Sequence, residues 1–187
     1  MLDLAQLAST LDEACGWITK ACGRRLTTEE KLRTALAMRK KMRWRTELVD
    51  ILAAAGDGIH SVLEYRYLRD VERAHGLPRS RHQVRVVIDG KVVYRDVYYE
   101  EYRLAVELDG RAAHPDHERW RDSRRDNQAR ARGVETARYG WREVYAHPCE
   151  TALLQAQILR QRGWPGTPKP CSPGCPVGRA FSQKKGA

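Results

Sequence analysis

The stretch Gln83-Val-Arg-Val-Val-Ile88, Asp89-Gly90, Lys91-Val-Val-Tyr94-Arg95-Asp96-Val-Tyr98 decides the fold. Two β-rich runs flank Asp-Gly, a pair that accepts the positive φ values of a tight hairpin turn. The spacing predicts an antiparallel hairpin over Gln83–Ile88 and Lys91–Tyr98. A third run, Tyr102 to Leu108, is apolar apart from Arg103 and Glu107. It predicts a strand buried on both faces, stopped by Asp109-Gly110.

Upstream of the hairpin the period changes to that of helices. Ser61-Val62-Leu63-Glu64 is a capping box whose helix runs to about His75 and is closed by Gly76-Leu77-Pro78. Leu4, Leu7, Leu11, Ala14 and Ile18 predict one helix over 4–22. Thr27-Thr28-Glu29-Glu30 opens a second, to about Lys41, and 43–55 read as a third. Downstream, Asp116 to Arg132 predicts a polar, arginine-rich helix. Short strands follow at Val134–Tyr139 and Arg142–Tyr145, then an apolar helix over Cys149–Arg162. From Gly163 the chain is Pro/Gly-rich, and predicts an irregular tail. The expected class is α/β: an α-β-β-β-α-β core with a mixed sheet flanked by helices, preceded by a helical N-terminal segment. The expected divisions are a basic helical lead-in over 1–57, a main domain over 58–165 and the tail over 166–187.

The 187 residues suffice for one domain with a sizeable core. The net charge is +10, and arginine supplies most of it. The charge is concentrated in residues 20–45, 111–145 and 160–187, whereas 46–110 carry an acidic excess. Basic arms around an acidic centre suit an enzyme of nucleic acids, with arginines on phosphates and carboxylates on a metal; a solvated basic surface gives the same balance. No apolar run approaches the ~20 residues of a membrane span, so no membrane partner is expected. No signal peptide is seen at the start, and the 5 cysteines are expected as reduced thiols in a cytoplasm.

Asp96 on the second hairpin strand and Glu107 on the third carry the chemistry. Inward carboxylates on adjacent strands, ~4.8 Å apart, are costly unless they are paired or share a cation. Asp109 follows on the same face if the strand continues, and Glu64 joins them if its helix packs over the sheet.

This order of residues resembles the PD-(D/E)XK nuclease superfamily, and more closely a group related to the very-short-patch-repair endonucleases. The likeness rests on Asp96, Glu107-Leu108-Asp109-Gly110, His114, Arg121-Asp122-Ser123-Arg124-Arg125-Asp126-Asn127 and Arg138-Tyr139-Gly140-Trp141, within about residues 59–165. It implies a restriction-endonuclease-like core and metal-dependent hydrolysis of DNA phosphodiesters, in repair or defence. Asp96, Glu107 and Asp109 would bind Mg²⁺ or Mn²⁺, with Glu64 beside them. His114 would act as general base, and Arg111, Arg121, Arg124, Arg125 and Arg138 would hold the nucleic acid. Asp109 stands where the superfamily carries a lysine; an aspartate adds a metal ligand rather than a positive charge.

Structural explanations exist for the same residues. Helix capping accounts for Glu64, an arginine pair for Asp96, a turn for Asp109-Gly110, a loop for His114-Pro115, and a salt-bridged helix for Arg121 to Arg132. The alternative function is a non-catalytic nucleic-acid-binding module, or a toxin–antitoxin or defence regulator, on a decayed nuclease fold. Cys149, Cys171 and Cys175, with His147, offer donors for a structural Zn²⁺, but no second close pair completes the Cys171-x-x-x-Cys175 spacing. The structural zinc of short-patch-repair enzymes uses cysteines after the Asp-Gly turn, where this chain has Arg111-Ala112-Ala113-His114. Members of the resembled group often carry an N-terminal winged-helix domain. The opening Leu2-Asp3-Leu4-Ala5 resembles the start of their linker, so a fragment or a standalone nuclease half is expected. A homodimer is one route to a double-strand cut.

Overall fold

A computed structural model describes residues 1–88, 90–109 and 127–182. The chain divides into two compact units, Met1–Tyr65 and Arg66–Ala187.

The first unit is helical. Helix α1 spans Leu2–Leu7, α2 Leu11–Gly23, α3 Glu29–Ala37 and α4 Arg45–Gly56. The single helix predicted over 4–22 is therefore two. Thr10 starts the second by accepting the Glu13 N–H at 3.2 Å, while the Glu13 carboxylate accepts the Ser9 N–H at 2.8 Å. This reciprocal pair satisfies two donors that a continuous helix would have bonded internally. The cap of α3 is Thr28, accepting from the Lys31 N–H at 3.3 Å, one residue later than the Thr27…Glu30 capping-box spacing predicts. The helix stops at Ala37, short of Lys41, because the Arg45 guanidinium takes the carbonyls of Leu36 and Arg39. Ala14, Cys15 and Ile18 of α2 are fully buried, as are Leu48, Ile51, Leu52 and Ala54 of α4. Helix α5 starts at Val62 and runs as an α-helix to Arg66.

In the second unit Tyr67–Arg73 continues that helix as a π-type stretch, with the Ala74 N–H reaching the Arg69 carbonyl. Four strands follow: β1 Arg81–Ile88, β2 Lys91–Tyr99, β3 Leu104–Asp109 and β4 Glu135–Gly140. They are ordered β1-β2-β3-β4 in space. The first two pairings are antiparallel and β3–β4 is parallel, which gives the predicted mixed α/β sheet. Ile88 faces Lys91 across the hairpin, and Gly90 takes φ +74 as the turn requires. Leu104, Ala105 and Val106 of β3 are fully buried, the two-faced burial their composition predicts. Helix α6 is described over residues 127–131, α7 spans Pro148–Gln161 and α8 Pro176–Ser182. The rest of the helix expected over Asp116 to Arg132 lies outside the described residues.

Two expectations are corrected. Arg142–Tyr145 is not a strand; Arg142–Ala146 forms a π-type turn. Glu143 accepts the Gly140 N–H at 2.9 Å, and its carbonyl accepts from the Thr151 hydroxyl at 2.8 Å, so the chain bends directly into α7. Four residues of alternating character do not separate these outcomes. The tail is not wholly irregular either: after an irregular run it forms α8, with Val177 fully buried. Among the described residues no helix is long and apolar enough to cross a membrane.

One face of the sheet carries Val97, Tyr99, Leu104, Val106 and Tyr139, all buried. Here Tyr67 stacks on Tyr139 with ring centroids 6.2 Å apart, and its hydroxyl meets that of Tyr99 at 3.1 Å. Tyr99 donates to the Glu72 carboxylate at 3.0 Å, Ser80 donates to it at 2.5 Å, and Tyr139 donates to Gln155 at 2.9 Å. Burial pushes the Tyr67 and Tyr99 phenols well above their ordinary range. Burial also raises Glu72 above the usual carboxylate range, against the pull of Ser80 and Tyr99.

A group with a raised carboxyl pKa in the folded state holds its proton better there than in the unfolded chain. Its contribution is therefore complete below the unfolded value of 4.5 and is lost as pH rises through the raised value. Urea unfolding of the wild type is expected to weaken across that window, and Glu72→Gln is expected to flatten the profile. A variant with the same pH dependence as the wild type would contradict this assignment.

Candidate functional site

The opposite face is reached by the alternation of the same strands. Val97 pairs with Val106 and Tyr98 with Ala105, so Asp96, Tyr98, Ala105, Glu107 and Asp109 point to one side. The parallel register sets Arg138 beside Glu107 and Gly140 beside Asp109. Asp96 and Asp109 are half-buried, Glu107 is 9% exposed, and Arg138 is exposed. The structure thus gathers Asp96, Glu107, Asp109 and Arg138 on one face of three adjacent strands.

Asp96 is held from two sides. One carboxylate oxygen accepts the main-chain N–H of Leu108 at 2.9 Å, and the other accepts from the Gln83 amide at 3.1 Å. Gln83 takes φ +49, a left-handed conformation that is costly for a residue with a side chain in a strand. Such strain persists only where surrounding contacts impose it. Gln83 was not singled out by the sequence, since a glutamine in a β-run carries no signal of either feature. On the same face the Thr136 hydroxyl is buried and has no hydrogen-bond partner among the described residues.

Glu64 lies in the first unit, where its carboxylate accepts from the His60 N–H at 3.0 Å and the Ser61 hydroxyl at 2.9 Å. Its own N–H donates to Ser61 at 3.1 Å, completing the capping box. His114, Arg111, Arg121, Arg124 and Arg125 lie outside the described residues.

A second constellation forms away from the carboxylates. His75, Cys149, Cys171 and Cys175 bring one ligand atom each to within 4.8 Å of one another. Among the described residues no other group of three or more such side chains converges as closely. The Sγ atoms of Cys149 and Cys171 are 3.5 Å apart, and Cys175 Sγ lies 3.5 Å from His75 Nε2. The set can hold a metal ion. Burial pushes the Cys149 thiol up to about 12, reinforced by Cys171 and Cys175. Burial opposes the Cys175 thiolate, but main-chain hydrogen bonds from Cys171 and Val177 leave its pKa below the usual value. Burial lowers His75, so its ring is held neutral, as a ligand must be. The three cysteines are those singled out by the sequence. His147 is not part of the group; it is exposed at the start of α7. His75 was missed, because it lies 74 residues upstream of Cys149 and no spacing connects them.

Comparison with family models, with curated proteins and with solved structures gives no match. Functional inference therefore rests on the residues themselves.

Removing the Asp96 carboxylate leaves the Leu108 N–H without its acceptor. Asp96→Ala is expected to destabilise the protein by about 1–2 kcal/mol in urea unfolding, and Asp96→Asn by less, since its carbonyl still accepts. Equal losses in the two variants would show that the Leu108 contact contributes nothing.

Proposed function

We propose that the protein is a metal-dependent DNA endonuclease or nickase, related in kind to the very-short-patch-repair enzymes, acting through the sheet face of Asp96, Glu107 and Asp109. The observation that carries this reading is the placement of three carboxylates on one face of adjacent strands, with Glu107 only 9% exposed. Carboxylates set side by side on adjacent strands repel one another, and a shared divalent cation relieves that repulsion. The donors are hard carboxylate oxygens, the set that suits Mg²⁺ or Mn²⁺. When bound there, such an ion polarises a phosphoryl oxygen and raises the acidity of water.

The chain's own groups have separate tasks. Gln83 and the Leu108 N–H fix the orientation of Asp96. Arg138, exposed beside Glu107, offers a fork to a backbone phosphate. The +10 charge draws a polyanion to the molecule. His114 is proposed as general base and Arg111, Arg121, Arg124 and Arg125 as further phosphate contacts, on sequence grounds.

A second reading, a non-catalytic nucleic-acid-binding module on the same fold, is favoured by one feature. Asp109 adds a negative charge to the face at the position where the resembled superfamily carries lysine. One assay separates the two. Supercoiled plasmid incubated with Mg²⁺ or Mn²⁺ is expected to be nicked or linearised, and EDTA is expected to stop it. Loss of even an outer partner of a metal ligand reduces activity by roughly 10–100-fold, so Asp96→Asn with Glu107→Gln is expected to lose at least about 100-fold. Salt-dependent DNA binding without cleavage would select the binding module. Cleavage that survives in the folded double variant would refute the assigned site.

A further inference from the structure

We propose that His75, Cys149, Cys171 and Cys175 form a structural zinc site that clamps the C-terminal segment onto the helices under the sheet. The proposal is independent of the nuclease reading, since none of its residues belongs to the carboxylate face.

Two of the ligand-to-ligand distances are those of a tetrahedral site, and all four donor atoms lie within 4.8 Å of one another, so a small contraction closes the set. Bonds of ~2.3 Å to sulfur and ~2.0 Å to nitrogen place two ligand sulfurs about 3.8 Å apart, and sulfur and nitrogen about 3.5 Å apart. Cys149 to Cys171 at 3.5 Å and Cys175 to His75 at 3.5 Å match this spacing. Three soft thiolates with one imidazole suit Zn²⁺ and exclude Mg²⁺ or Ca²⁺. Four protein donors complete the coordination and leave no position for water or substrate, which marks a structural site rather than a catalytic one.

The surroundings fit the same assignment. The His75 ring is fully buried, and its Nδ1 lies 3.1 Å from the Val71 carbonyl. Donation there fixes the tautomer and leaves Nε2, the atom facing Cys175, free of its proton for a metal. The Cys175 N–H bonds to the Ser172 carbonyl at 3.1 Å, a turn that folds Cys171-Ser172-Pro173-Gly174-Cys175 into a loop bringing both sulfurs to one centre. The Lys169 N–H donates to the His75 carbonyl at 2.7 Å. Gly76, at φ +61, turns the chain away beneath the Lys169 stem.

The three elements joined are the turn that follows the π-type stretch, the first turn of α7 and the loop before α8. The closure spans 74 residues from His75 to Cys149 and 22 from Cys149 to Cys171. In the unfolded chain these donors are dispersed, so affinity for the ion stabilises the folded arrangement. The loop and α8 have little apolar surface of their own. Val177 and Cys175 are buried, but most of residues 169–174 are exposed. The ion supplies the order that a small hydrophobic contact does not.

The full chain, purified under reducing conditions, is expected to contain about one zinc ion per molecule by elemental analysis. Replacement by Co²⁺ is expected to give the visible bands of a tetrahedral ion with thiolate-to-metal charge transfer. Cys171 is exposed, so Cys171→Ser tests the site with little disturbance to packing. It is expected to weaken zinc binding by at least tenfold and reduce the charge-transfer intensity, whereas Cys171→His restores binding and Cys22→Ser leaves it unchanged. Chelation of the wild type is expected to speed tryptic cleavage after Arg179, by loosening α8. The proposal is overturned by wild-type protein that holds neither zinc nor thiolate-bound cobalt, by iron as the resident metal, or by a Cys149–Cys171 disulfide in the reduced preparation. The wild-type measurements decide the matter even if Cys171→Ser fails to fold.

Discussion

A buried carboxyl group, Glu72, organises the second unit. It lies under the sheet on the π-type stretch and is gripped by the hydroxyls of Ser80 and Tyr99. Polar groups removed from water must find each other, and these do so in a continuous series. From Tyr99 the contacts pass to Tyr67, then through stacked rings to Tyr139 and on to Gln155 of α7. One network therefore fixes the helix, two strands and α7 against a single face of the sheet. Three residues beyond Glu72, the same segment delivers His75 to the cysteine cluster.

Closing one face this way determines what the other can do. Alternation along β2 and β3 means that when Val97, Tyr99, Leu104 and Val106 point into the packed layer, Asp96, Glu107 and Asp109 point to the opposite side. A one-residue slip in register would exchange the two sets. Apolar packing on one face and carboxylates on the other are thus one decision. The Asp96 carboxylate secures it locally, taking the Leu108 N–H just beyond the last paired residues, Val97 and Val106. On this account the proposed phosphodiester chemistry and the proposed zinc clamp occupy different parts of one unit. Hard oxygen donors lie on the sheet face, and soft sulfur donors lie where the tail meets the helices.

The sheet was legible because its signals are local. Asp89-Gly90 between β-rich runs specifies a hairpin, and the apolar run ending at Asp109 specifies a central strand. The threonine pair at 27–28 and the Ser61 capping box mark helix starts, all within a few residues of chain. The break at Ser9-Thr10 depends on a reciprocal cap that helical periodicity masks. The turn at Arg142–Ala146 depends on Glu143 and Thr151, eight residues apart and joined only by folding. The metal cluster shows the same limit: three cysteines near the C-terminus are visible as donors, but their fourth partner is set by how a distant helix ends. Gln83 became visible only through its backbone conformation and its contact with Asp96.

The central claim, that the carboxylate face of β2 and β3 binds a divalent ion, is tested most directly by paramagnetic broadening. Mn²⁺ added in substoichiometric amounts to isotope-labelled protein is expected to broaden the amide signals of Asp96, Glu107 and Leu108 first. Glu107→Gln is expected to abolish that effect while leaving the spectrum of a folded protein. Broadening confined to other regions, or unchanged broadening in the variant, would contradict the account.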